Sequence, residues 1–426
     1  MGQSVYFLQK AVISGFWGSK KVEIDFDQEV NFLIGKNGCG KTTFINMIAA
    51  ALRLDLEILE NTQFKQIHLI LHDPEQKCIG DVIVDKTTKS SDLFSSMKYR
   101  VRRKRSDRYQ TLIFDEAVDY GRTASGRVST RRKLILNNSA ISTTLGEMTR
   151  TSWLSIHRAT LGRRFEDAEG IDSSVDKKVT ELAQSFANYF SSLDTTARRE
   201  MQSFQEFVFL QLLFDGKIPN VFSSQKLDVH EESSMLRKIF NEFQLTQQKF
   251  ISKVDRHFGS VSKALTKIST GEQIEIGDYL ALAHNQRIHD LVIEWKETQK
   301  RISSVYSPKN EFLTIMNSEY TNKELIISNR NEPVVRTDEG HMFRPTVMSS
   351  GEKQLFILLG EVLLQEGRPY IFIADEPELS LHVEWQSSLV TNMRKLNPNI
   401  QIIFATHSPD IVSVYEKNII KMEEHV

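Results

Sequence analysis

The chain has 426 residues, of which 40% are hydrophobic and 26% charged, and its formal net charge is −1; this composition excludes a disordered chain, a fibrous repeat and a uniformly basic nucleic-acid binder. The length predicts about three structural units, and the two cysteines, Cys39 and Cys78, are too few for a disulfide framework. No apolar run approaches the roughly 18 residues that span a bilayer, and the N-terminus lacks a signal-peptide pattern, so we expect a soluble cytoplasmic protein with no membrane partner.

The first predicted elements are strands that lead into a glycine-rich loop. Val22, Ile24 and Phe26 recur with a period of two, and an apolar strand follows over Val30–Ile34. After the loop, apolar residues recur at helical spacing over Phe44–Leu52. The order is therefore strand, loop and helix.

Short β-rich runs separated by polar turns follow this helix. They cover Ile67–Leu71, Ile79–Val84, Thr111–Phe114 and Trp153–Ile156. Runs of this length and composition predict strands, and we expect them to form a meander attached to the first lobe. Residues 1–161 are therefore predicted to form an N-terminal lobe that contains the glycine-rich loop and the meander.

A different periodicity begins near residue 172. Apolar residues recur in alternating steps of four and three over Val175–Leu193, and again, less regularly, over Phe240–Ile268. We predict a helical insertion over residues 162–308, formed as an antiparallel helical hairpin or a small bundle. Arms of about 40 residues would reach roughly 60 Å. A plain helical domain with its own core is the alternative interpretation.

The strand pattern returns from Glu311 and then alternates with helices. The predicted order is helix Leu355–Leu363, strand Tyr370–Ala374, helix Trp385–Leu396 and strand Ile400–Ala405. Such alternation is typical of a parallel sheet with crossover connections. Residues 309–426 are therefore predicted to form a C-terminal α/β lobe.

Residues Gly35–Thr42 match the phosphate-binding pattern GxxxxGK[ST] between an apolar strand and an amphipathic helix. Glycines let backbone N–H groups turn around phosphate oxygens, and the helix N-terminus adds the positive end of its dipole. Lys41 can reach the β- and γ-phosphates, and the Thr42 hydroxyl can ligate Mg²⁺. With ATP and Mg²⁺ as cofactors, the residues expected to bind nucleotide here are Asn37, Gly38, Cys39, Gly40, Lys41, Thr42 and Thr43.

The strand Tyr370–Ala374 leads into two carboxylates, Asp375 and Glu376. Asp375 suits a contact to Mg²⁺, which makes it a metal candidate with Thr42, and Glu376 is placed to polarise the attacking water. Adjacent residues on a strand point to opposite sides, so separate roles are natural. Taken alone, this motif is also explained by a strand whose end reaches solvent and whose carboxylates have no catalytic role.

Three short motifs accompany the acidic strand. Ser349-Ser350-Gly351 opens the preceding helix, Ser380-Leu381-His382 follows the two acids, and His407 comes directly after the next strand. A serine hydroxyl and a helix N-terminus aimed at a γ-phosphate would stabilise its charge. For His407 alone, a histidine with a purely structural hydrogen bond is the alternative.

Taken together, these motifs resemble those of the ABC-type ATPases, in particular the SMC, RecF and OLD branch. The resemblance implies an α/β fold in which an ABC-type ATPase head, with a mixed sheet, a P-loop and flanking helices, is interrupted by the helical or coiled-coil insertion. It also implies that Glu376 and His407 are catalytic, His407 being the switch histidine at the γ-phosphate.

The same resemblance implies that Ser349, Ser350 and Gly351 form the signature motif, with Ser350 where most members carry glycine. It also implies that Ser380-Leu381-His382 is the D-loop. In this family the signature of one subunit binds the nucleotide held by the other, so that two ATP are enclosed in a head-to-tail dimer. The family also has a Q-loop glutamine, for which Gln66 and Gln110 are both candidates.

The first lobe is also similar to the AriA ATPase family of PARIS anti-phage systems over Ile13–Gly18, Val30–Gly35 and Thr43–Ala50. This implies a homo-oligomeric sensor that holds an AriB-like TOPRIM nuclease effector until a phage trigger protein releases it. OLD nucleases instead carry their own TOPRIM domain after the ATPase. The stretch from His407 to Val426 is too short for one, so we expect a slow ATPase without nuclease activity.

A basic segment at residues 98–108 leaves a second function open. Its cations are Lys98, Arg100, Arg102, Arg103, Lys104, Arg105 and Arg108. They favour a phosphate-binding patch for nucleic acid, a solvated hairpin, or a surface for an acidic protein, and we do not favour nucleic acid. The alternative function is an SMC- or RecF-like DNA repair or recombination ATPase that binds DNA directly.

Overall fold

The computed structural model describes residues 6–88, 95–115, 140–155, 174–213, 228–412 and 414–426. The chain divides into two compact units, Met1–Ala187 with Glu311–Val426, and Asn188–Asn310. None of the helices in these described ranges is both long and apolar enough to cross a lipid bilayer. The boundaries at 162 and 308 drawn from the sequence stay a prediction, and residues 162–173 lie outside the described part.

The first unit contains a six-stranded antiparallel sheet with the order β2-β1-β4-β5-β6-β7. Its strands are β1 (Phe7–Phe16), β2 (Lys20–Asp25), β4 (Gln66–Asp73), β5 (Cys78–Thr88), β6 (Ser95–Arg102) and β7 (Gln110–Asp115). The predicted meander is therefore present, but the sequence analysis missed β6. β6 alternates basic residues with the buried residues Met97, Tyr99 and Val101 on the opposite face. The segment was interpreted as a basic patch, and this alternation was overlooked.

A parallel five-stranded sheet carries the motifs, with the order β14-β3-β13-β12-β8. Its strands are β3 (Val30–Ile34), β8 (Thr151–Ser155), β12 (Tyr370–Asp375), β13 (Ile400–Ala405) and β14 (Ile419–Lys421). The assignment of Trp153–Ile156 to the meander was wrong, because β8 pairs in parallel with β12 and sets Ser155 opposite Asp375. Strand partners this distant in sequence are not specified by local pattern.

The helices of the first unit flank these sheets. They are α1 (Lys41–Arg53), α2 (Leu56–Glu60), α3 (Ala140–Met148), α8 (Ser350–Leu363), α9 (Val383–Leu396) and α10 (Pro409–Val412). The start of a long helix, α4 (Ser174–Leu210), packs on α8, where Lys178 pairs with Glu361 at 2.5 Å and Lys353 with Asp176 at 2.6 Å. The rings of Phe186 in α4 and Phe356 in α8 also contact each other. Ion pairs and an aromatic contact therefore join α4 to α8, the helix that begins with the signature residues.

The strand pattern expected from Glu311 begins later than predicted. A helix of 44 residues, α7 (Ile276–Glu319), continues past Pro308, and the three-stranded sheet β9 (Lys323–Ile327), β10 (Pro333–Thr337) and β11 (Met342–Phe343) follows it. Phe312 and Met316, four residues apart, are fully buried. Their spacing is helical, and packing of that face overrides the local strand pattern.

The second unit is a small helical bundle. Besides parts of α4 and α7 it holds α5 (Val229–Glu242) and α6 (Gln247–Thr270). The sequence pattern predicted one continuous helical stretch over Phe240–Ile268, and this was wrong. α5 ends before Gln244, which has a left-handed φ of 55°, and α6 begins after it. Leu236, Phe250, Val254 and Phe258 form one of its apolar clusters. The helices therefore enclose a core of their own.

Candidate nucleotide site

The phosphate loop is shaped by glycines between β3 and α1. Gly40 caps α1 with a φ of 97°, in the left-handed region that favours glycine. A Cβ on Gly40 would lie 2.9 Å from Cζ of Phe16 and 3.0 Å from Cζ2 of Trp17, so a larger residue does not fit. Asn37 and Gly38 are exposed at the loop's rim, and Thr43 is half-buried in α1. The loop and the first N–H groups of α1 can therefore surround an anion.

Lys41 joins the phosphate loop to the end of β13. Its buried ammonium donates to the carbonyl oxygen of Gly35 at 2.7 Å and lies 2.8 Å from Nε2 of His407. Because an ammonium only donates, Nε2 of His407 must accept, which places the ring proton on Nδ1. The two side chains expected at the β- and γ-phosphates are therefore adjacent.

Thr42, in the first turn of α1, contacts Asp375, the last residue of β12. The hydroxyl of Thr42 donates to Oδ1 of Asp375 over 3.0 Å. A hydroxyl and a carboxylate side by side suit Mg²⁺, which proteins hold through one or two carboxylates together with substrate phosphates. Within the described ranges, no group of three or more His, Cys, Asp or Glu residues is arranged to hold a metal ion. The Thr42 hydroxyl and the Asp375 carboxylate are donors that suit Mg²⁺ bound together with the phosphates of a nucleotide.

Glu376 is not part of the strand, contrary to the expectation that both acids lie on it. β12 ends at Asp375, and Glu376 has a left-handed φ of 48°. Its N–H donates to the carbonyl of Ala405 at 2.8 Å, and its Oε1 lies 3.8 Å from Nε2 of His407. A non-glycine residue in this conformation costs about 1–3 kcal/mol, and the turn brings its carboxylate to the same edge as His407.

The signature residues form a second group around α8 and the D-loop. Ser349 caps α8 in a capping box, in which its hydroxyl accepts from the N–H of Glu352 and the Glu352 carboxylate accepts from the N–H of Ser349 at 2.9 Å. A Cβ on Gly351 would overlap the carbonyl oxygen of Ser380. Ser349 and Ser350 are exposed, so this helix N-terminus faces solvent.

The pKa of Glu352 reflects this arrangement. Burial acts to raise it, but the ion pair with Lys323 at 2.7 Å and the hydrogen bonds from Ser349 outweigh burial and lower the pKa. The Glu352 carboxylate therefore stays ionised at the start of α8, where the helix dipole also favours negative charge.

Neither glutamine considered for the Q-loop lies on the parallel sheet. Gln66 donates to Oδ1 of Asp85 at 2.7 Å, and Oε1 of Gln110 accepts from the hydroxyl of Thr144 at 2.9 Å. Both belong to strands of the antiparallel sheet. β8, whose last residue Ser155 pairs with Asp375, is the strand that leads to the site, and the residues that follow it lie outside the described part.

The basic segment is partly neutralised. Arg100 pairs with Asp85 at 2.8 Å, Arg102 pairs with Asp81 at 2.5 Å, and Arg103 pairs with Glu147. Burial of Asp81 acts to raise its pKa, yet the hydrogen bonds from His68 and Arg102 lower it. The exposed cations that stay available to a partner in this segment are Lys98, Lys104, Arg105 and Arg108.

Two acids near the site have contacts that sequence analysis did not assign. Oε1 of Glu423 accepts from the N–H of Lys36 at 2.8 Å and so braces the phosphate loop. Buried Glu378 accepts from the backbone N–H of His407 at 3.1 Å. Glu378 stands beside the D-loop motif, which was its only signal, whereas nothing in the sequence links Glu423 to the loop.

Comparison with known proteins identifies the family of the chain. The family described as an AAA ATPase domain matches residues 7–412. The retron Vc95 probable ATPase of Vibrio cholerae serotype O1 biovar El Tor is 33% identical over 86 residues, a match that covers 18% of this chain and 17% of that protein. The chain thus spans about a sixth of that relative's length in this match.

Two solved structures are similar over most of their length. A Smc head domain with an extended coiled coil bound to the C-terminal domain of ScpA, from Pyrococcus furiosus, is 13% identical with a TM-score of 0.43, over 99% of this chain and 95% of that one. A SmcHead bound to the C-winged helix domain of ScpA is 13% identical with a TM-score of 0.39, over 96% and 92%. The predicted fold class and ATPase function are confirmed: the chain belongs to the AAA ATPase domain family and is an ATPase whose α/β head is interrupted by a long helical insertion.

Proposed function

We propose that the chain is the ATP-driven switch of a bacterial anti-phage defence system, in which Mg·ATP closes a head-to-tail dimer of two chains. The observation that carries this proposal is the separation of two half-sites. Lys41, Thr42, Asp375 and His407 gather at one edge of the parallel sheet, whereas exposed Ser349 caps a helix that faces outward. A second copy would supply its Ser349 to the first copy's γ-phosphate.

Each residue of the first half-site has a role in this proposal. Lys41 binds the β- and γ-phosphates, and the backbone of Asn37–Gly40 with Thr43 surrounds them. Thr42 and Asp375 hold Mg²⁺, which would neutralise charge on the phosphates when bound. Glu376 orients the attacking water, and His407 contacts the γ-phosphate.

The assignment to defence rests on sequence. Similarity to AriA over Ile13–Gly18, Val30–Gly35 and Thr43–Ala50 supports a PARIS-type sensor, and the local similarity to a retron ATPase is in keeping with it. In this proposal a cytoplasmic homo-oligomer of the dimers holds an AriB-like TOPRIM nuclease and releases it when a phage trigger protein binds. Hydrolysis is slow because nucleotide is used to change state.

A DNA repair or recombination ATPase is the second candidate. The four exposed cations Lys98, Lys104, Arg105 and Arg108 favour it, because phosphate contacts supply most of non-specific DNA affinity. This function requires that DNA stimulates ATP hydrolysis and that binding weakens steeply with salt. The defence switch requires instead a stoichiometric protein partner and little response to DNA.

The test uses the full chain and its Glu376→Gln variant. With Mg·ATP, the variant should bind nucleotide, cease hydrolysis and accumulate as dimers or larger assemblies in analytical ultracentrifugation. Adding Ser349→Arg to it should abolish assembly while nucleotide binding persists, because the exposed Ser349 lies in the opposite half-site. Hydrolysis at the parental rate in Glu376→Gln, or assembly unaffected by Ser349→Arg, would overturn the proposal. DNA-stimulated turnover would favour the second candidate.

A further inference from the structure

Glu378 lies in the segment that joins β12 to the D-loop, and its carboxylate is directed at the end of β13. The side chain is only 7% exposed. Its Oε1 accepts hydrogen bonds from the Thr406 hydroxyl, from the N–H of His407 at 3.1 Å and from the N–H of Ser408 at 3.3 Å. One carboxylate oxygen therefore fixes three consecutive residues, with His407 in the middle.

The segment around Glu378 is also tied to the signature helix. Gln354 of α8 donates from Nε2 to the carbonyl oxygen of Pro377 at 3.3 Å, and Gly351 packs against the carbonyl of Ser380. Residues 377–380 are therefore enclosed between α8 and the end of β13. A displacement of α8 would move this segment, because its backbone has no free space on the side of Gly351.

A second link runs from the same loop through α9. The Ser408 hydroxyl donates to Oε1 of Gln386 at 2.7 Å, and Nε2 of Gln386 donates to the carbonyl of Leu381 at 2.9 Å. Leu381, after the segment that contains Glu378, is thus linked through Gln386 to Ser408, the residue after His407. The signature helix, the D-loop and the histidine form one hydrogen-bonded series.

If Glu378 only stabilised the loop Thr406–Ser408, a carboxylate would not be required at this position. Oε2 of Glu378 is buried and has no hydrogen-bond partner among the described residues, and a buried polar atom without a partner is costly. A neutral side chain would avoid burying charge. What the carboxylate provides is a strong acceptor for two consecutive N–H groups, those of His407 and Ser408.

We infer that Glu378 is a positioning residue that holds His407 for contact with the γ-phosphate and transmits the position of the signature helix to it. In a head-to-tail dimer, the helix that contacts one nucleotide would then adjust the histidine at the other. The inference rests on the role of His407 in the proposed function. Glu378 itself touches neither nucleotide nor water in this scheme.

The test is a double-mutant cycle with steady-state ATP hydrolysis. Glu378→Gln keeps the volume and one acceptor oxygen but loses the charge, and kcat should fall about tenfold, as expected for weakened hydrogen bonds to a charged group. KM for ATP should change less than about twofold, because Lys41, Thr42 and Asp375 are untouched. The double variant with His407→Ala should be no slower than His407→Ala alone.

Gln401→Ala is the matched control, because Gln401 is a buried side chain on the same sheet that bonds only backbone groups of Leu8 and Asp27. It should lower the melting temperature without lowering kcat in the folded fraction. Additive losses in the cycle, or a rise in KM at constant kcat, would overturn the positioning role of Glu378. If His407→Ala leaves kcat unchanged, the assignment of His407 in the proposed function fails instead, and the role of Glu378 with it.

Discussion

The ammonium nitrogen of Lys41 lies 2.8 Å from Nε2 of His407, although the two residues are 366 positions apart in the chain. The contact fixes an acceptor at Nε2 and hence a proton at Nδ1 of His407. A triphosphate in the phosphate loop competes for the same ammonium. Binding of ATP therefore requires Lys41 to exchange the histidine for phosphate oxygens, which couples occupancy of the loop to the end of β13.

Lys41→Ala should weaken ATP binding about 10- to 100-fold. Hydrogen bonds to a charged group contribute about 1.5–3 kcal/mol, and their loss corresponds to a change in affinity of this size. Isothermal titration calorimetry with the full chain measures this directly. Lys36→Ala is the matched control, since Lys36 lies in the same loop with an exposed side chain and uses its backbone N–H for the contact to Glu423. Equal affinities for ATP in the two variants would contradict the role of Lys41.

Thr42→Val should raise the Mg²⁺ concentration needed for half-maximal hydrolysis and should leave Mg²⁺-free ATP binding nearly unchanged. The hydroxyl that contacts Asp375 at 3.0 Å is lost, while the loop backbone is retained. The Thr42 hydroxyl would be an oxygen ligand of Mg²⁺ bound with ATP, and valine would supply none. The measurement is a Mg²⁺ titration of turnover at saturating ATP, and an unchanged midpoint would remove Thr42 from the metal site.

Gly351→Ala should slow hydrolysis by tenfold or more, because the added methyl overlaps the carbonyl oxygen of Ser380 and a backbone displacement near 1 Å can cost about 100-fold in rate. ATP affinity should be nearly retained, since the substitution leaves Lys41 and Thr42 of the phosphate loop unchanged. Gly146→Ala in α3 provides the comparison, because a Cβ there meets nothing within 4 Å. Similar kcat values for both variants would show that the D-loop tolerates the displacement.

Local motifs were predictable, and long-range relations were not. The phosphate loop, the acidic strand and the capping residue Ser349 were identified because each is encoded within about eight neighbouring residues. The position of β8 beside β12 and the contact of Glu378 with His407 depend on packing between distant segments. The conformation of Glu376 also escaped detection, since a left-handed non-glycine residue is a strain imposed by its surroundings.

The helical unit should lose stability on acidification through His257. Burial lowers the pKa of this histidine below its usual value of 6.5, with repulsion from His284 adding to the effect, while the hydrogen bond to Asn285 and the charge of Glu232 oppose it. The unfolded chain then binds a proton more readily than the folded one just below pH 6.5, so stability is unaffected well above this pH and declines as the pH falls below it.

Hydrogen exchange of α6 and α7 amides in the full chain, corrected for intrinsic rates, measures this effect between pH 7.5 and 5.5. The exchange rate, which reports local opening of these helices, should increase at the lower pH. His257→Gln should reduce that increase because glutamine does not titrate. Glu232, which contacts His289 at 2.5 Å and Asn285 at 2.9 Å, belongs to the same buried group. A His257→Gln chain that keeps the full pH response would contradict the role of His257 in this loss of stability.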